Sequence, residues 1–259
     1  MRLLTLARDL TRRKAREREG LFVVEGIRTG EELAKSSFDV AGVLAAPQLP
    51  DNPRGAALLA RFAEKGVTVT HVTDREFQSA AETESPQGFL AVAAIPKERG
   101  LNLPSDGTFR PLVLDAVQDP GNVGTIIRTA AGLGASAVLA LPGTVDVWNA
   151  KVVRSAMGAH FHFFASAMEW EGVQELLRAT ETPLWGADMG GADIATLTPP
   201  RRCALVVGNE GSGLSPHVRA ALTQVVSLPI SPLVESLNVA VAAGVLLYEL
   251  RARAPGARS

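Results

Sequence analysis

Two short runs, Pro111-Leu-Val-Leu and Cys203-Ala-Leu-Val-Val, are almost wholly apolar, and each leads into a turn rich in Gly, Asn and acidic residues. After the first comes Asp119-Pro-Gly-Asn-Val-Gly; after the second, Gly208-Asn-Glu-Gly-Ser-Gly. A strand without polar alternation has to be covered on both faces, as in a parallel sheet flanked by helices. In open sheets of that kind, ligand-binding groups sit in the loops at the carboxyl ends of the strands. The two runs therefore point to an α/β layer structure and mark where its chemistry belongs.

Strand and helix signals alternate along the chain. Strands over 21–26, 40–46, 67–72 and 89–95, with helices over 29–35 and 55–65, read as a small α/β domain. Between 96 and 110 the pattern dissolves into Pro-Lys-Glu-Arg-Gly and Pro-Ser-Asp-Gly-Thr, a linker that divides the chain into residues 1–105 and 106–259. Beyond it we expect a strand from Pro111, a helix over 123–133 capped by Asn122, and a strand over 137–141. A helix over 149–157, a strand over 161–165, a helix over 172–180 and a strand over 184–187 follow. Ser215-Pro216 has the residue types of a helix start. An apolar strand around Leu228 and Ile230 precedes an Ala-rich helix, with Ser236 and Asn238 in the N-cap region. Ala240, Ala242, Ala243 and Gly244 let another backbone approach that helix closely; a plain buried helix would also suit them.

Composition excludes several classes. A single cysteine rules out a disulfide framework and fits a reducing cytoplasm. Within its apolar run Cys203 reads as a buried small residue, not a nucleophile. His160 and His162 would share one strand face but lack a third ligand at a recognisable spacing, so no metal is expected. No apolar stretch is long enough to span a bilayer, and no signal-peptide pattern opens the chain, so no membrane association is expected. The glycines form neither a dinucleotide fingerprint nor a P-loop.

Residues 2–19 hold seven Arg or Lys against three acids, although the whole chain has a net charge of −1. Such a run is either a solvated helix face or, through Arg12, Arg13, Lys14 and Arg16, a contact for phosphates. Arg128, among Ile126, Ile127, Ala130 and Ala131, is either solvent-facing or functional. Glu210, a lone acid between an apolar strand and a Gly-rich turn, is either a helix-capping group or a ligand-binding one.

Three stretches in order resolve these alternatives by resemblance. Asp119-Pro-Gly-Asn-Val-Gly-Thr-Ile-Ile-Arg-Thr-Ala, Leu205-Val-Val-Gly-Asn-Glu-Gly-Ser-Gly-Leu-Ser, and Leu228-Pro-Ile through Glu235-Ser-Leu-Asn-Val-Ala-Val-Ala-Ala resemble the three motifs of the SpoU (TrmH-type) RNA ribose 2′-O-methyltransferases of the SPOUT superfamily. The segment from Arg12 to Gly26 is similar to the start of that family's substrate-binding domain, which resembles ribosomal protein L30e. The resemblance implies a small N-terminal L30e-like domain and a SPOUT parallel-sheet domain whose C-terminal part is tied in a deep trefoil knot. It implies a homodimer, S-adenosylmethionine as methyl donor, and RNA as substrate, rRNA in preference to tRNA. It assigns the donor to main-chain groups at Gly208, Leu228, Ile230, Leu237 and Asn238, and the chemistry to Arg128 with Asn122, Glu210, Ser236 and Asn238. Lys151 and Arg154, three apart on one helical face, join Arg12, Arg13, Lys14 and Arg16 as candidate RNA contacts. Ser231-Pro232-Leu233 departs from the family's usual Gly and leaves the shape of that loop open. A non-catalytic RNA-binding or ribosome-assembly protein on the same fold is the alternative; it gives no reason for Asn122, Arg128, Glu210 and Asn238 to occur together.

Overall fold

The computed structural model describes residues 2–96, 100–101 and 107–253, with side chains as far as residue 251. Most of the expected linker over 96–110 lies outside the described residues. The chain forms two compact units, Met1–Arg99 with Trp148–His162, and Gly100–Val147 with Phe163–Ser259.

The first unit runs α1 (Arg2–Asp9), α2 (Arg13–Glu19), β1 (Leu21–Glu25), α3 (Ile27–Lys35), β2 (Val40–Ala45), α4 (Pro53–Glu64), β3 (Val69–His71), α5 (Asp74–Gln78) and β4 (Phe89–Ala94). Its sheet has the order β1-β4-β2-β3, antiparallel except where β2 meets β3. Side chains alternate across such a sheet, and here both faces are covered. Phe22, Val24, Val43, Phe89 and Ala91 point into one core, which includes Leu33, Leu58 and Phe62 from α3 and α4. Val23, Leu44, Leu90 and Val92 point into the other, with Leu4, Ala7 and Leu10 from the N-terminal segment. Asn52 caps α4 by accepting from Arg54 N and Gly55 N, and Thr73 with Glu76 forms a capping box on α5.

The second unit carries β5 (Pro111–Leu114), α6 (Pro120–Gly132) and β6 (Ala137–Ala140). The chain then leaves it for α7 (Ala150–Ser155), which belongs to the first unit, and returns for β7 (Ala165–Ala167), α8 (Trp170–Ala179), β8 (Leu184–Asp193), β9 (Ala204–Val207), α9 (Pro216–Arg219), β10 (Gln224–Ser227) and α10 (Val239–Arg253). The six strands are all parallel in the order β10-β8-β9-β5-β6-β7. Every residue of β5, β6 and β9 is buried, which is why their sequences show no alternation. Val113, Leu139 and Val206 pack with Val173 and Leu177 of α8. In the same unit α10 lies along α6, and its small residues permit that approach: a Cβ added at Gly244 would sit 3.1 Å from Thr129 Cγ2.

Several expected elements change shape. Helix α6 starts earlier than 123, because Asp119, not Asn122, is its cap: Asp119 Oδ1 accepts from Asn122 N at 2.8 Å. The run over 161–165 is not a strand. His160 belongs to a 3-10 turn over Ala159–Phe161, and β7 begins only at Ala165. The two histidines therefore share no strand face: His160 is buried, and His162 lies 3.7 Å from the Glu32 carboxylate. Helix α9, opened by Ser215-Pro216, lasts only four residues.

Candidate functional site

Because the strands are parallel, β5, β8, β9 and β10 release their loops at one edge of the sheet, and the motifs meet there. The loop after β9 is held from within. Asn209 Oδ1 accepts from Gly211 N at 2.9 Å and Ser212 N at 3.0 Å, while its Nδ2 donates to Ala116 O at 2.8 Å. Gly208 is required by this fold-back, since a Cβ there would run into the backbone of Gly213. Buried Asp115, at the end of β5, accepts from Ser215 N at 2.6 Å and ties the far end of the same loop.

Three side chains join the loops into one network. Asn122 Nδ2 donates to Glu210 Oε1 at 3.0 Å, and Asn238 Nδ2 donates to Asn122 Oδ1 at 3.0 Å. Glu210 also accepts from the backbone N–H groups of Gln118 at 3.3 Å and Asp119 at 3.4 Å. Partial burial by itself would raise the Glu210 pKa; the Asn122 amide and the backbone N–H groups outweigh it and hold the carboxyl below its ordinary value. Asn238 meanwhile caps α10, its Oδ1 accepting from Ala240 N at 2.9 Å and Val241 N at 3.3 Å. Both ends of the Asn122 amide are thereby fixed, and an NH₂ group that gives one hydrogen to a neighbour keeps a second. The rim is oriented yet retains donors.

Beside this rim lies a cleft of about 780 Å³. Gly208, Leu228, Ile230, Leu237 and Asn238, the five expected donor-binding residues, all line it, as do Glu210 and Ser236. Val226, Ala242 and Leu246 give it apolar walls, and Asp188, Glu210 and Glu235 are its charged lining residues. A cleft of this size with carboxylates and no Lys or Arg on its lining fits a donor carrying a sulfonium and an ammonium group. Arg128 stands apart: it is exposed on α6, outside the cleft lining, and its guanidinium makes no hydrogen bond or ion pair to another described residue.

The expected RNA contacts divide. Lys14 and Lys151 are exposed, Arg12 pairs with Asp9, and Arg13 pairs with Glu17 at 2.7 Å. Arg16 is only 3% exposed; its guanidinium donates to Leu10 O at 2.7 Å and Thr11 O at 2.9 Å, holding the α1–α2 turn. Arg154 lies 3.5 Å from Glu25, a buried carboxylate of β1 that also accepts from Thr83 Oγ1 and from Glu82 N at 3.1 Å. Sequence reasoning passed over Asp115 and Asn209, although a lone acid ending an apolar strand was the available signal. It also missed Asp188 and Met189, which line the cleft from β8. Cys203 is fully buried, and burial pushes its thiol up to about 12. Among the described residues no three His, Cys, Asp or Glu side chains cluster as metal ligands, and no helix is long and apolar enough to cross a membrane.

Comparison with known proteins agrees with this geometry. Residues 110–248 match the SpoU rRNA Methylase family, and residues 5–91 match the MRM3-like substrate binding domain. The chain is 34% identical to a 23S rRNA (guanosine(2553)-2′-O)-methyltransferase of Bacillus subtilis (strain 168), over 94% of each chain. It is 31% identical to a 23S rRNA (uridine(2479)-2′-O)-methyltransferase of Streptomyces viridochromogenes, over 93% of this chain and 85% of that one. The crystal structure of the SpoU methyltransferase AviRb from Streptomyces viridochromogenes, in complex with the cofactor AdoMet, superposes with a TM-score of 0.83 at 26% identity and covers 96% of both chains. The fold, the three motifs meeting at one sheet edge, and these similarities place the chain in the SpoU rRNA methylase family.

Proposed function

We infer that this protein transfers a methyl group from S-adenosylmethionine to the ribose 2′-hydroxyl of a nucleotide in RNA, with 23S-type rRNA preferred over tRNA. The observation that carries the reading is the network Glu210–Asn122–Asn238, which joins three strand-end loops into one rim beside the cleft. The printed functions of both 23S rRNA relatives support the substrate class.

Bound there, the donor would supply an electrophilic methyl group that carries its own leaving group, and the ribose hydroxyl would give up its proton to water. The protein's part is positioning and charge stabilisation. Main-chain groups at Gly208, Leu228, Ile230 and Leu237 hold the donor between apolar walls, with Ser236 beside them. Asn122 and Asn238, each locked in one orientation, present their remaining N–H groups to the ribose, while Glu210 fixes Asn122. A guanidinium keeps its proton in proteins. Arg128 therefore acts by orienting phosphate and ribose and by stabilising the developing alkoxide, not as a base.

Residues 1–105, with the segment 148–162 that packs in the same unit, serve RNA capture and the rest of 106–259 catalysis, with Lys14 and Lys151 the exposed cations best suited to phosphate. A second copy of the chain is the partner. Val241, Val245 and Tyr248 are 53%, 42% and 57% exposed on α10, and Val245 and Tyr248 line a groove with Thr129 and Leu133, next to Arg128. A dimer through this face would cover those side chains and bring Arg128 to a subunit boundary. Of the small-residue stripe, Ala240 and Ala243 are buried within the same chain, whereas Gly244 lines this groove beside Val245 and Tyr248. The passage over 228–238 into α10 is read as the trefoil knot that the resemblance implies, and a cytoplasmic location goes with an rRNA substrate. Incubation with methyl-labelled donor and either rRNA or tRNA tests the function: label in rRNA at a ribose 2′-oxygen is expected. Donor binding without transfer to any RNA would favour the non-catalytic alternative.

A further inference from the structure

Strand β8 does not run flat along β10. Trp185 and Gly186 pair with Gln224 and Val225, but the next pairs are Ala192 with Val226 and Asp193 with Ser227. One step along β10 thus corresponds to six along β8, and residues 187–191 leave the sheet as an arch. Even a one-residue bulge re-aims side chains next to active sites, and this excursion is five residues long. Both feet of the arch are tight. A Cβ at Gly186 would collide with Leu222, and one at Gly191 would lie 2.5 Å from Val226 C. Ser227 Oγ also donates to Gly191 O at 2.9 Å.

The crown of the arch is held from a different direction. Asp188 Oδ1 accepts from Gly190 N at 3.1 Å, and Asp188 Oδ2 accepts from Arg219 of α9. The same α9 ends the loop that carries Glu210. Met189, 63% exposed, sits on the crown and lines the cleft together with Ala187 and Asp188. A large apolar side chain displayed to water on a cleft wall has its burial still to come, and an unbranched thioether adapts to irregular surfaces.

We propose that the arch over 187–191 is a built wall of the donor cleft, in which Met189 packs on the bound donor and Asp188, through Arg219, is the positioning residue that holds it there. This rests on the reading of the cleft as the donor site. The Asp188–Arg219 pair then couples the donor wall to the Glu210 loop, so the two sides of the cleft keep one spacing.

The test is calorimetric titration of the full-length protein with S-adenosylmethionine. Met189→Ala should raise Kd by about fivefold to tenfold, the loss of part of one apolar side chain's burial. Asp188→Asn should raise it about threefold to fivefold, and the double variant should be no weaker than Met189→Ala alone, because Asp188 acts through Met189. Arg219→Ala should raise Kd about as much as Asp188→Asn and add nothing to it when the two are combined; two residues acting only through general stability would give additive losses. Leu237→Arg, on an exposed loop across the cleft, separates the two ideas. If it abolishes donor binding while Met189→Ala and Asp188→Asn stay within twofold of the unaltered protein, the arch inference is overturned and the donor cleft stands. If Leu237→Arg binds donor normally, or the unaltered protein binds none, the cleft reading fails and the inference with it.

Discussion

Arg16 and Arg128 both sit on helices, one in each unit, with opposite surroundings. Arg16 is buried, its guanidinium donating to two backbone carbonyls. Arg128 is exposed, and its guanidinium makes no hydrogen bond or ion pair to another described residue. The acids repeat the contrast: Glu25 is buried among Thr83, Glu82 N and Arg154, whereas Glu210 is exposed on a rim whose amides keep free hydrogens. In the first unit these charges complete the fold. In the second they are held in place and left unfinished, which is the condition of groups waiting for a ligand. The number of charges therefore says less about function than whether the fold itself satisfies them.

The largest expected effect would come from the unfinished side. Arg128→Ala should cut turnover by on the order of 10²–10³, as for loss of an oxyanion donor, with donor affinity and melting temperature nearly unchanged. A matching loss of stability would break the contrast. Arg128→Lys keeps the charge without the planar fork and should be nearly as poor at every pH; recovered turnover with a new pH profile would make this residue a base.

Glu25→Ala probes the finished side. Leaving Thr83 Oγ1, Glu82 N and the half-buried Arg154 without their shared acceptor should cost about 3 kcal/mol in denaturant unfolding, while donor binding is retained. Smaller again is Gly244→Leu, which should overpack the α6–α10 contact by roughly 1–3 kcal/mol and show in the same measurement. The smallest effect is that of pH on Glu210. A carboxyl held below its ordinary value contributes stability that is complete above the ordinary carboxylate range and is lost as pH falls through the lowered folded value. Melting temperature should thus carry an acid-limb component that disappears in Glu210→Gln; an unchanged acid limb in that variant would count against the hydrogen-bonded rim.

The parts of the site legible in sequence were those whose residue types have one use. A Gly-rich turn after an apolar strand, and Asn before an Ala-rich helix, signal loop and cap locally, and Asn238 does cap α10. What stayed hidden depends on distant partners. Arg16 lies in a run that reads as a solvated face, and only the fold brings it to the carbonyls of Leu10 and Thr11. Asn122 and Asp119 are both good caps, and spacing alone does not choose between them. The arch over 187–191 has no local signal beyond the strand expected over 184–187, because its register is set by β10, more than thirty residues later. The apolar run near Phe161 resembles a strand because burial, not pairing, selected it.

The segment 148–162 has a consequence for synthesis. Phe22 rests 4.6 Å from Trp148, and Phe38 5.3 Å from Phe161, ring centre to ring centre. Val153 completes one core of the first unit, and Ala150 joins the other. The first 99 residues therefore leave the ribosome before their last layer exists. At roughly 5–20 residues per second the wait for residue 162 is on the order of 3–12 s. During that interval aromatic surface is open to chaperones or to misassembly, and the nascent N-terminal unit cannot reach its final packing before much of the second unit has been made.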